Sequence, residues 1–286
     1  MTDSITVTAA AKVNLFLRVL AREESGYHGL ETLFCRLALG DQLTVERRDG
    51  TGVTITVEGD EVGPADDNLA ARAAAMVLAA LRTPFAVHLT LVKRIPVGAG
   101  LGGGSSDAAA ALVAVNQLAG HAVPRPELLR FASRLGADVA FALSGAPLAL
   151  GWGHGERLLA LPALPRAPVL LLSPGNPVAT PEAYRWLDEA RPDEGRRAAV
   201  ALDLEALASW GSIARMAGND FESVVFGHHP GIRSAFEAVA ATRPLLCRMT
   251  GSGSTVFGVY RTARDRDDAA LMLGKKLGRV IVTETA

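Results

Sequence analysis

Five glycines fall within the seven residues from Gly98 to Gly104, and two serines follow them. Glycine has no Cβ and reaches positive φ at little steric cost, so such a stretch can turn successive backbone N–H groups inward around an anion. Ser105 and Ser106 are good N-cap residues, the run Ala108 to Ala119 has high helix propensity, and Gly120 is a natural stop. The spacing predicts a helix that starts near Ser105 or Ser106 and aims its positive end at a phosphate. Asp107 reads as part of the cap, because a carboxylate facing phosphates would repel them. An ordinary strand-to-helix turn needs only one or two glycines.

Two common phosphate loops do not fit. Gly98, Gly100 and Gly103 spell a literal GxGxxG, but a dinucleotide fold wants an acidic residue about 20 positions on, at a strand end. The region Ala119 to Pro124 offers none. A Walker loop closes on Gly-Lys-Ser/Thr, and no lysine follows Gly104.

Lys12 and Asp138 are the other residues suited to chemistry. Only Lys12, Lys93, Lys275 and Lys276 are lysines among 29 basic residues. Lys12 lies between small apolar residues, either snorkelling from an edge or buried as a cation for an anion. Asp138 sits between Ala137 and Val139 after a glycine turn, a pattern that half-buries a carboxylate, which then needs a partner. A helix cap or loop acceptor is the commoner use of such an aspartate.

The stretch Pro96-Val97-Gly98-Ala99-Gly100-Leu101-Gly102-Gly103-Gly104-Ser105-Ser106-Asp107-Ala108 resembles the phosphate loop of the GHMP kinases. The resemblance continues in Ala11-Lys12-Val13-Asn14, in Gly136-Ala137-Asp138-Val139 and in Met249-Thr250-Gly251-Ser252-Gly253-Ser254. It implies an α+β GHMP fold, with an S5-domain-2-like nucleotide domain over residues 1–161 and a ferredoxin-like domain over 162–286. It also implies Lys12 and Asp138 as the catalytic pair, residues Pro96 to Ser106 around ATP, and Mg2+ with the triphosphate, its protein ligand unassigned.

Ser25-Gly26-Tyr27-His28 and Thr180-Pro181-Glu182-Ala183-Tyr184 resemble segments of the branch whose small-molecule substrate is cytidine diphosphate methylerythritol. By that resemblance Tyr27 and Tyr184 stack on the pyrimidine and His28 bonds its edge, chemistry that aromatic and imidazole groups can supply. Asn14, Thr180, Pro181, Gly251 and Ser252 complete the implied substrate contacts. Ser25, Ala140, Ala142, Trp152 and His154 depart from the family pattern. Another GHMP small-molecule kinase would keep Lys12, Asp138 and the loops without the pyrimidine residues, and a non-catalytic nucleotide sensor would keep only the glycine loop.

The elements that must hold these residues follow from the pattern. Strands are expected over Ile5–Ala10, Val13–Leu20, Leu30–Leu39, Gln42–Arg48, Val53–Val57 and Ala86–Val92, with Gly40-Asp41 as a turn signal. Helices are expected over Asn68–Leu81, capped by Asp66 or Asp67, and over Arg125–Leu135. A hairpin follows over Pro147–Gly151 and Gly155–Leu161. The cluster Pro162, Pro165, Pro168 marks a domain boundary. Beyond it the order is a strand Val169–Leu172, a helix Thr180–Ala190, a polar connector Arg191–Arg197 and helices Leu204–Trp210, Phe221–Phe226 and Gly231–Ala241. Strands Cys247–Thr250 and Thr255–Tyr260, a helix Asp265–Leu277 and a strand Val280–Thr283 close a split βαβ pattern. Asn219-Asp220-Phe221-Glu222 reads as a helix cap, and His228-His229 as a solvated helix end rather than a metal site.

At 286 residues and net charge −1, with acids and bases interspersed, the chain shows no basic block for nucleic acid and no membrane segment. Cys35 and Cys247 stand far apart without a CxxC and read as small apolar residues. A cytoplasmic monomer or homodimer is expected.

Overall fold

The computed structural model describes residues 3–24, 26–60, 63–64, 67–191 and 202–286. Ser25, Asp66 and all but the first residue of the Arg191–Arg197 connector lie outside them. The chain divides into two compact units. The first comprises residues 1–12, 39–97 and 102–146, the second 13–38, 98–101 and 147–286.

Two long strands open the chain, β1 (Ser4–Arg22) and β2 (His28–Arg48). Each was expected as two shorter strands. Gly40-Asp41 is no turn: β2 runs straight through it, and a Cβ on Gly40 would sit 2.7 Å from Thr8 Cγ2 and 3.0 Å from the Ala9 carbonyl. The glycine serves the close approach of β1.

In the first unit, β3 (Gly52–Glu58) pairs in parallel with β4 (Ala86–Val92), which pairs antiparallel with residues 42–48 of β2. The unit also holds helices α1 (Leu69–Ala79), α2 (Gly103–Leu118), α3 (Arg125–Leu135) and α4 (Ala137–Ser144); α1 touches β3, and α1, α3 and α4 pack on α2. Asn68, not Asp67, caps α1, its side chain accepting the Ala70 N–H at 2.9 Å. Alanines on both helices, among them Ala70, Ala73, Ala74, Ala108 and Ala111, are buried and let α1 and α2 lie close together.

In the second unit, residues 30–35 of β2 pair with β5 (Leu148–Gly153), which turns back into β6 (Arg157–Leu161). Its other sheet holds β7 (Pro168–Ser173), β8 (Leu246–Met249), β9 (Val256–Val259) and β10 (Arg279–Glu284) in the order β10-β7-β9-β8. Every pair is antiparallel. Taken as strands one to four, the order 4-1-3-2 is that of the split βαβ, ferredoxin-like arrangement. Helices α5 (Thr180–Ala190), α6 (Trp210–Met216), α7 (Glu222–His228), α8 (Pro230–Ala241) and α9 (Ala263–Leu273) complete the unit. Its core joins Leu170, Leu172, Val225, Val239 and Val256 to Leu17 and Val19.

The helix expected over Leu204–Trp210 is not formed. Asp203 accepts the Ala206 N–H at 2.7 Å, a local turn that competes with helix, and α6 starts only after Ser209 caps it through Ser212 N. No helix among the described residues is long and apolar enough to cross a membrane. Burial pushes both thiols, Cys35 and Cys247, up to about 12, as their reading as apolar residues requires.

Candidate active site

The glycine loop runs from the end of β4 into α2. Gly98, Gly100 and Gly102 take positive φ of 66°, 79° and 69°. The helix starts earlier than expected: α2 begins at Gly103, with Gly102 as a left-handed N-cap that has no capping side chain. Ser105 and Ser106 therefore lie inside the first turn and cap nothing. Ser106 is buried, and its hydroxyl donates to the Ala10 carbonyl at 2.5 Å. A helix N-terminus without a side-chain cap keeps its first N–H groups for an outside acceptor, and the macrodipole favours an anionic one.

The same unit brings Lys12 and Asp138 together. Lys12 Nζ lies 3.3 Å from Asp138 Oδ2, with the lysine side chain 6% exposed and the carboxylate 32%. Asp138 stands in the first turn of α4, so it presents its oxygens at a helix N-terminus rather than in a free loop. Gly102 is their neighbour: a Cβ there would be 3.0 Å from Lys12 Cγ and Cε and 3.5 Å from Asp138 Oδ2. A buried ammonium, a half-exposed carboxylate and an uncapped helix start thus share one place. That set can bind phosphate and accept a proton beside it.

In the second unit, the loop after β8 surrounds Gly100. A Cβ at Gly100 would meet the Thr250 carbonyl at 2.3 Å and that of Gly253 at 2.9 Å, so glycine is required there. Thr250 Oγ1 accepts the Asn14 N–H and donates towards the Gly100 carbonyl, both at 3.2 Å. Asn14 Oδ1 accepts from Gly251 N at 3.0 Å, and its amide donates to Thr32 Oγ1 at 2.8 Å. Ser252 and Thr180 share a hydrogen bond of 3.0 Å, and Pro181 follows Thr180 in the first turn of α5. The segment 219–222 does more than cap a helix. Asn219 Oδ1 does accept Phe221 N, but its amide also donates to the Met249 and Gly251 carbonyls, each at 2.8 Å. Glu222 accepts Met249 N, and burial raises its carboxyl despite that bond.

Two of the rings implied around a pyrimidine, His28 and Tyr184, meet. His28 stacks on Tyr184 with centroids 5.1 Å apart, and its Nε2 lies 2.8 Å from Asp188 Oδ1. Tyr184 is held edge-on by Phe221 at 5.0 Å. Tyr27 is 68% exposed, its ring 5.3 Å from that of His154, whose Nε2 lies 3.1 Å from Glu23. The unusual His154 thus pairs with the loop that carries Tyr27. His228 stacks on Trp186 at 4.1 Å, and among the described residues no three His, Cys, Asp or Glu side chains could hold a metal.

Sequence reasoning missed Asp188, Asn219 and Lys93. Asp107 is not a cap: it is buried and ion-paired to Lys93 Nζ at 2.7 Å. The rarity of lysine was the one signal pointing to Lys93.

Comparison with known proteins bears on the whole chain. Residues 68–146 match the family described as GHMP kinases N terminal domain, and residues 198–279 that described as GHMP kinases C terminal. A protein of Moorella thermoacetica named 4-diphosphocytidyl-2-C-methyl-D-erythritol kinase is 37% identical over 294 residues, 99% of each chain. One of Solibacter usitatus with the same name is 38% identical over 277 residues, 93% of this chain and 84% of that one. Among solved structures, a 4-(cytidine 5'-diphospho)-2C-methyl-D-erythritol kinase superposes with a TM-score of 0.82 at 37% identity, covering 98% of both chains. A homoserine kinase from Cytophaga hutchinsonii shares the fold, with a TM-score of 0.75 at 23% identity.

Proposed function

This chain belongs to the GHMP kinase family, and from that premise we propose that it transfers the γ-phosphoryl group of ATP to the 2-hydroxyl of 4-diphosphocytidyl-2-C-methyl-D-erythritol. The observation that carries the reading is the Lys12–Asp138 pair of 3.3 Å beside the uncapped start of α2. A non-catalytic nucleotide sensor has no use for a buried ammonium and a carboxylate at that point.

In the proposed reaction the Asp138 carboxylate takes the proton of the substrate hydroxyl as its oxygen bonds to the γ-phosphorus. The bond from that phosphorus to the bridging oxygen breaks, and ADP leaves. Lys12 offsets charge on the transferring group, and the backbone from Pro96 to Ser106 cradles the phosphates. ATP enters as its magnesium complex, the metal belonging to the substrate. The His28–Tyr184 stack, with Asp188 fixing the imidazole, is the proposed cytidine platform, joined by Tyr27 and by Thr180, Pro181, Gly251 and Ser252. Asn14 serves by ordering the Thr250-Gly251 turn. The two family segments fall on either side of residue 161, which supports a domain boundary there. The scheme draws on one chain, and we place it in the cytoplasm as a monomer or homodimer.

Release of ADP from Mg-ATP tests the reading, with the cytidylylated alcohol compared against the same alcohol phosphate lacking cytidine. Turnover of the first, with kcat/KM for the second lower by about 100-fold or more, is expected from loss of the base contacts. Equal turnover of both would remove the cytidine assignment.

A further inference from the structure

One cluster of buried charge has no part in the scheme above. The register of β2 on β4 pairs Gln42 with Val92, so Asp41 and Lys93 are the next residues out along the two paired segments. Lys93 Nζ is ion-paired both to Asp41 and, at 2.7 Å, to Asp107 Oδ2. The three side chains are 2%, 0% and 4% exposed. Asp41 Oδ1 accepts the N–H groups of Arg94 at 2.5 Å and Ile95 at 2.8 Å, where the chain leaves β4 for the glycine loop. Asp107 lies just inside α2, where the loop ends. A Cβ on Gly103 would come within 3.3 Å of Lys93 Nζ, which puts the ammonium directly under the first turn of that helix.

Two carboxylates against one ammonium would leave a net negative charge in a site closed to water, which is costly. The two acids are not equivalent. Asp41 accepts from Lys93 and from two backbone amides, whereas Asp107 accepts only from Lys93, and its Oδ1 is buried without a hydrogen-bond partner. A proton is therefore retained at less cost on Asp107 than on Asp41.

We propose that Lys93 is a positioning residue for the phosphate loop, holding the end of β4 and the start of α2 together through a buried triad with Asp41 and a protonated Asp107. Burial raises the Asp107 carboxyl from its ordinary 3.8 to about 7; Lys93 opposes the rise, and the charge of Asp41 and a hydrogen bond to it add to the rise. Those two are the charged groups acting on it. A carboxyl raised in the folded state gives stability that is present at low pH and is lost as pH climbs from about 4 to about 7.

The loop's role rests on the kinase reading, but the triad can be tested apart from it. In urea denaturation of the full chain, the midpoint of Asp107→Asn should gain on wild type between pH 5 and pH 8, because the amide never ionises. A difference that stays constant with pH would overturn the protonated triad, whether or not the chain is a kinase. In steady-state assays, Lys93→Met should raise KM for ATP about tenfold or more while KM for the acceptor stays within twofold. Wild-type KM for ATP in Lys93→Met would overturn the positioning role, and if that variant fails to fold, the denaturation comparison decides. Absence of kinase activity in wild type would sink the functional reading and leave the denaturation result standing.

Discussion

A methyl group at position 102 would touch both members of the Lys12–Asp138 pair. The residue also sits at φ 69°, a conformation that costs a side chain about 1 kcal/mol or more. Gly102→Ala should therefore push the Lys12 stem away from the helix start, lowering kcat by about tenfold or more while the melting temperature falls only a few degrees. Unchanged kcat would show that the spacing at Gly102 has slack. The sequence marked this position only as one glycine of five. Which glycine adjoins the ion pair depends on where α2 begins, and the two serines pointed to a later start. Gly102 needs no side chain to cap α2, so capping preference carried no information here.

Single elements show where local pattern suffices and where it does not. Helix α5 spans Thr180–Ala190 as expected, because Thr180-Pro181-Glu182 is a strong helix start with nothing distant to compete. The Leu204–Trp210 segment looked equally helical but lost to an aspartate turn and a tryptophan whose Nε1 donates to the Pro165 carbonyl at 2.7 Å. Strand β2 passes through Gly40-Asp41 because β1 needs the space above Gly40 and Lys93 needs the carboxylate of Asp41, two partners that no short window contains. The turn after β8 depends in the same way on a distant residue. Asn219→Ala removes two buried donors from the Met249 and Gly251 carbonyls and should cost roughly 2 to 4 kcal/mol, read as a lower urea midpoint. It should also raise KM for ATP, because Thr250 and Gly253 no longer fix Gly100. A stable variant with wild-type KM would show that the β8–β9 turn holds itself.

At the scale of the molecule, the strand order β10-β7-β9-β8 was legible as a split βαβ, since the element sequence of residues 168–284 admits it directly. The first unit was harder to read, because beside β3 and β4 it takes one end each of β1 and β2, whose other halves belong to the second unit. Lys12 and Asp138 could be singled out by residue type and neighbours, but their 3.3 Å meeting required the packing of α2 and α4 beside β1. The Lys93 triad required the β2–β4 register as well.

The measurement closest to the central claim is a comparison of wild type with Asp138→Asn under saturating Mg-ATP and 4-diphosphocytidyl-2-C-methyl-D-erythritol, with ATP affinity measured separately by direct binding. The amide keeps the shape of the carboxylate and cannot take a proton. The expected result is kcat lower by about 100-fold or more at nearly unchanged ATP affinity. Wild-type turnover by Asp138→Asn would contradict it.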